Sequence, residues 1–147
     1  MNAKFLVAAA LVGVAYLIWH RHQAHVEAAA IAAITDNRGF IELAPPSGAS
    51  TKEVLIVAAQ NCPHEGAQRA DSLAREMAER NISYRRSSSV SFDVPPDVDE
   101  KFLETFSKQH NAIMNREVPL VFVNGRVKSN PDLDEVVAEY ELANRGE

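Results

Sequence analysis

The only thiol in this chain of 147 residues is Cys62, in the run Gln60-Asn61-Cys62-Pro63-His64-Glu65. A lone cysteine excludes a disulfide within the chain and a zinc site built on cysteines. What remains to it is attack, as a thiolate, on an electrophile or on another molecule's disulfide. An apolar run, Val54 to Ala59, precedes it, and residues at helical spacing follow. Cys62 is therefore expected at a helix start, with Pro63 in the first helical position. There the free backbone N–H groups and the helix dipole favour the thiolate. A protonated His64 adds to that effect and the carboxylate of Glu65 opposes it. The alternative is that Cys62 is a small buried apolar side chain.

The elements that must hold this thiol alternate along the chain. Val54-Leu55-Ile56-Val57-Ala58-Ala59 reads as a strand buried on both faces. Ala67, Ala70, Leu73, Ala74 and Met77 recur at helical spacing up to Arg80. Ile82, Tyr84, Val90, Phe92 and Val94 share one parity, so part of 82–94 is a strand, broken or bulged by Arg85-Arg86-Ser87-Ser88-Ser89. Phe102, Leu103, Phe106, His110, Ile113 and Met114 mark a second amphipathic helix. Pro119 to Val123, Asn124-Gly125 and Arg126-Val127-Lys128 form a hairpin, since Asn-Gly suits a tight turn with positive φ at both central residues. Asn130 as N-cap, Pro131 in the first helical position and Asp132 in an acidic first turn open a last helix whose buried face is Leu133, Val136, Val137 and Tyr140. The order β-α-β-α-β-β-α predicts a mixed four-stranded sheet packed by helices, the first crossover right-handed and parallel.

Cys62-Pro63-His64-Glu65 opening a helix after a strand, with Val118-Pro119 ahead of LVFVNGRV, resembles the thioredoxin fold in its glutaredoxin form. The resemblance covers about residues 53–142. It implies that Cys62 is the nucleophile, that Pro63 is the motif proline, and that Pro119 is a cis-proline beside the thiol. Val118 would then offer its backbone to an extended substrate. The stretch Ser129-Asn130-Pro131-Asp132 falls where the family holds glutathione. The resemblance thus makes Asn130 and Asp132 substrate-binding residues, with Asp132 meeting the glutathione amino group. Glutathione is the implied co-substrate, and no tightly bound cofactor or metal is implied. The sequence departs from the family at Glu65, where the resolving cysteine would stand, and in lacking the Gly-Gly pair after the hairpin.

Ahead of the domain, Phe5 to Trp19 carries no charge and lies between Lys4 and His20-Arg21-His22. Bulky polar residues after the run do not suit signal cleavage, so the run is expected to be an uncleaved single-span anchor. The weak excess of positive charge before it places the globular part outside the cytoplasm, in the periplasm of a Gram-negative cell. Residues 1–35 are then the anchor with its helical extension, 36–52 a linker with Pro45, Pro46 and Gly48, and 53–147 the domain. His20, His22 and His25 read as polar flanks of that span rather than as ligands. Hydrophobic residues at 46% and charged residues at 24% are those of a globular chain, and a net charge of −5 without a basic block excludes a nucleic-acid binder. Two functions are open. One is a membrane-tethered monothiol glutaredoxin-like protein, with glutathione or protein thiols as partners. The other is a redox-inert thioredoxin-fold module that binds a protein partner at the membrane.

Overall fold

The computed structural model describes residues 3–145, without the side chains at 3–11, 23–28 and 30. The chain divides into two compact units between Ile34 and Thr35. The first unit is one helix, α1 (Ala3–Ile34). Val12, Val14, Tyr16, Leu17, Ile18 and Trp19 are all more than half exposed on it. Among the described residues no helix is long and apolar enough to cross a membrane. This corrects the expectation of a single-pass anchor over 5–19 and, with it, the extracytoplasmic placement of the domain. Fifteen uncharged residues at ~1.5 Å each span about 22 Å, against ~30 Å of bilayer hydrocarbon. The helix also runs on without a break through Arg21 and Glu27.

The second unit is a mixed α/β structure. Its strands are β1 (Ile41–Glu42), β2 (Val54–Val57), β3 (Tyr84–Ser87), β4 (Leu120–Val123) and β5 (Arg126–Ser129). Its helices are α2 (Glu65–Glu79), α3 (Glu100–Met114) and α4 (Leu133–Arg145). The sheet order is β1-β5-β4-β2-β3, with β2 and β3 parallel and the other pairs antiparallel. Alternation along the strands sorts the core into two layers. Val54, Ile56, Val121 and Val123 join Ala70, Leu73, Ala74 and Met77 of α2 and Val136 of α4 in one cluster. Phe122, of opposite parity, meets Phe92, which in turn packs edge-on against Phe106 and His110 of α3. The sheet is therefore covered by α2 and α4 on one face and by α3 on the other.

The expected four strands are five, and 36–52 is not a linker. Phe40, Ile41 and Leu43 are 1–2% exposed, and Ile41–Glu42 adds an edge strand to β5. The turn that feeds this strand is built on Asp36. Its carboxylate accepts the N–H of Arg38 at 2.9 Å and of Phe40 at 2.8 Å, while Gly39 takes φ +82°. The Arg126 guanidinium lies 2.9 Å from the same carboxylate. Lys128 donates to the Arg38 carbonyl at 2.6 Å and stands over the Phe40 ring. Of the stretch Arg85 to Ser89 expected to break or bulge the strand, Arg85, Arg86 and Ser87 lie within β3, which ends at Ser87. Arg86 is mostly buried and pairs with Asp71 of α2 at 2.9 Å, and Arg85 pairs with Glu53 at 3.4 Å.

The Asp36 turn gives the edge strap an acid limit. Burial works to raise the Asp36 pKa, but the two backbone N–H groups and the charges of Arg126 and Arg38 outweigh it, and the pKa falls below 3.8. A group with a depressed folded pKa stabilises above its unfolded pKa and loses that contribution as pH falls through the folded one. Asp36 should therefore contribute in full at neutral pH and lose its contribution below about pH 3.8. Protection of the Ile41 and Glu42 amides, taken relative to the intrinsic exchange rate at each pH, should fall across that window in the native chain and change less in Asp36→Asn, which is already less protected at neutral pH.

Candidate functional site

After β2 the chain turns through Asn61, in the left-handed region at φ 54°, which asparagine tolerates. Cys62 follows, half-buried, then Pro63 and His64, both exposed. His64 is the N-cap of α2. Its carbonyl accepts the N–H of Ala67 at 3.0 Å and of Gln68 at 3.1 Å, and its side chain makes no capping bond. Pro63 is therefore not in the first helical position, and Cys62 lies two residues ahead of the cap. The dipole acts within the first turn, so the thiol gains less from α2 than its expected place at the helix start implied. Gln68 donates its side-chain N–H to the Pro63 carbonyl at 2.9 Å and so fixes the loop to the helix.

The Val118–Pro119 peptide bond is cis, and two neighbours hold it from the β5 side. Ser129 donates its hydroxyl to the Glu117 carbonyl at 2.6 Å. Asn130, at φ 47°, donates its N–H to the Pro119 carbonyl at 2.7 Å. Gly66, the second residue of α2, holds the segment from the other side. A β-carbon there would stand 2.6 Å from Val118 Cγ2 and 2.7 Å from the Val118 carbonyl oxygen. The helix that follows Cys62 thus meets the backbone of Val118 at a distance only glycine permits. Val118 is exposed and Pro119 buried. The N–H and carbonyl of Val118 have no hydrogen-bond partner among the described residues.

Beside this junction lies an open cleft of about 320 Å³. Arg69 and Glu76 of α2 line one side; Pro119, Asn130, Asp132 and Leu133 line the other. Three of the residues singled out from the sequence, Pro119, Asn130 and Asp132, therefore share one cavity. Cys62, Pro63, His64 and Val118 are not among its lining. Asp132 also has a structural role. Its carbonyl accepts the Val136 N–H, and its own N–H donates to the Glu135 side chain at 3.0 Å, a capping arrangement at the start of α4. Asn130, expected as that cap, is instead turned to Pro119.

Sequence reasoning missed Gly66, Arg69 and Glu117. The signal for Gly66 was its place inside the expected helix, where glycine costs stability unless a neighbour requires it. Arg69 lies 3.6 Å from Glu65 and 3.9 Å from Glu117, so the cation of the cleft stands between two exposed carboxylates. No protein-family model, curated protein or solved structure matches the chain. The local geometry is a half-buried thiol on a loop, a helix start pressed on a cis-proline segment, and a polar cleft lined in part by Pro119 of that segment.

Proposed function

We propose that the second unit is a thioredoxin-like domain of the glutaredoxin type and that it exchanges disulfides through Cys62 alone. The observation that carries this reading is the approach of Gly66 to Val118, which joins the helix after the cysteine to the segment whose open backbone would receive a substrate strand. In the first step the Cys62 thiolate attacks one sulfur of a mixed disulfide. A new S–S bond forms to Cys62, and the other sulfur leaves as a thiolate that takes a proton from water. In the second, a thiol such as glutathione attacks that bond as its thiolate, returns Cys62 to the thiolate and carries the group away as a disulfide. With Glu65 at the position of a resolving cysteine, both steps need an outside thiol.

The test uses the full chain and a glutathionylated peptide, with mass readout on Cys62. Cys62 should take up the glutathionyl group about tenfold faster than a free cysteine derivative and pass it to added glutathione, and Cys62→Ser should abolish both. A rate no higher than that of the free thiol would remove the reading. One observation favours a redox-inert binding module: Cys62 stands outside the cleft and ahead of the helix cap. On that reading Cys62→Ser leaves partner binding intact, whereas Asp132→Ala weakens it.

A further inference from the structure

Asn124-Gly125 shapes the turn between β4 and β5, and it also carries a chemistry of its own. An asparagine side-chain amide is an electrophile for the backbone nitrogen of the next residue. Glycine puts no side chain beside that nitrogen, so the attack is least hindered in an Asn-Gly pair. Both residues are half-buried, and a β-carbon at Gly125 would meet nothing within 4 Å, so water reaches the turn. Two contacts hold the pair in place. Asn124 Nδ2 donates to the Glu139 carboxylate at 3.0 Å, which ties the amide to α4. Leu43, just after β1, donates its N–H to the Gly125 carbonyl at 3.3 Å. Glu139 is 1% exposed, with Arg38 at 2.7 Å and Arg126 at 3.6 Å, and Arg126 also pairs with Asp36 at 2.9 Å. Among the described residues, two guanidiniums thus serve the carboxylates of Asp36 and Glu139, and the Asn124 amide adds a neutral donor.

We propose that Asn124 is a site of spontaneous deamidation, gated by its hydrogen bond to Glu139, and that the acidic product loosens the edge strap. While Glu139 holds Nδ2, the amide is kept from folding back onto Gly125; opening of that contact frees it. The Gly125 nitrogen then attacks Asn124 Cγ and forms an N–C bond. The amide nitrogen leaves as ammonia, taking the Gly125 proton. Water opens the resulting ring at either carbonyl and gives aspartate or isoaspartate, with no oxidant or reductant involved. In the aspartate an oxygen stands where Nδ2 stood. The donor to Glu139 is replaced by a third carboxylate, beside a buried charge that two guanidiniums already share with Asp36. Isoaspartate also lengthens the backbone of a tight turn. None of this involves Cys62.

The full chain is aged in mildly alkaline buffer and digested with trypsin, which releases residues 117–126 as a peptide whose only asparagine is Asn124. The gain in mass from amide to acid, followed in time, gives the rate. The same peptide made synthetically, and the chain held in urea, give the ungated rate. The native chain should convert Asn124 at least about tenfold more slowly than either. Glu139→Gln, which gives up the charge that Arg38 and Arg126 hold, should speed conversion at least about threefold over the native chain. Ile113→Val, a core change of comparable cost on the other face of the sheet, should leave the rate near the native one. Equal rates for native chain and peptide, or equal acceleration by the two substitutions, would remove the gate. Absence of acid at Asn124 even in urea would remove the site. The product is tested with Asn124→Asp, in which protection of the Ile41 amide should fall more than that of Ile56. A uniform fall, or none, would disconnect the modification from the strap.

Discussion

Gly66→Ala should lower the stability of the second unit and slow the reaction of Cys62, although alanine is the better helix former. Within a helix the replacement favours folding by up to ~1 kcal/mol. Against that, the new β-carbon lands 2.6 Å from Val118 Cγ2 and 2.7 Å from the Val118 carbonyl oxygen. A methyl group can swing aside, but the carbonyl cannot move without Pro119, which is buried and whose own oxygen is held by Asn130. Overpacking of this kind costs about 1–3 kcal/mol, so the clash outweighs the propensity and the net loss should be about 1–2 kcal/mol. Urea midpoints at unchanged slope measure it. Val118→Ala in the same chain removes the Cγ2 contact and leaves the carbonyl, so the double variant should recover part of the loss. Equal midpoints for Gly66→Ala and the native chain, with unchanged Cys62 labelling, would mean that α2 and the Val118 segment are not coupled.

The parts of the fold that were legible in the sequence are those with a strong local pattern. The apolar run of β2 and the spacing of Ala67, Ala70, Leu73, Ala74 and Met77 have one reading each. Asn124 and Gly125 take φ 54° and 67°, as the hairpin turn requires. The rest was set by contacts distant in the chain. β1 has two residues, too few for any period to show, and it exists because β5 offers an open edge. Asn130-Pro131 has the composition of a helix start, but the Asn130 N–H is taken by Pro119, and the cap moves to Asp132. At the site, Pro119 was visible through the Val-Pro pair before the hairpin. The place of Cys62 ahead of the cap was not, because a proline after cysteine suits the first helical position and the residues before it equally. On α4 the periodicity marked Leu133, Val136 and Tyr140 correctly, yet the most buried polar side chain of the described residues, Glu139, lies beside them.

Replacing Glu139 by alanine should be among the most destabilising single changes in the second unit, with a loss of about 3 kcal/mol. Its side chain is 1% exposed, and Arg38 lies 2.7 Å from one carboxylate oxygen. Arg126 lies 3.6 Å from the other, which also accepts the Asn124 side-chain N–H at 3.0 Å. A buried charge without partners would not survive there, so this acid and the Arg38 turn require one another. Breaking a buried ion pair costs ~3–5 kcal/mol when the orphaned partner stays buried. Arg38 and Arg126 are each about a third exposed and can turn to water, which sets the cost at the lower end. Glu139→Gln keeps the volume and an acceptor for Asn124 but gives up the charge, and should cost less, about 1–2 kcal/mol. The two variants also differ from a simple core defect in where the damage appears. Glu139 holds Arg38 and Arg126, which hold Asp36 and the edge strand, so amide exchange at Ile41 should rise more than at Ile56 in the sheet centre. Uniform acceleration over both strands would make Glu139 a packing residue only. A Glu139→Gln variant as stable as the native chain would show that hydrogen bonding, and not charge, fixes the strap to α4.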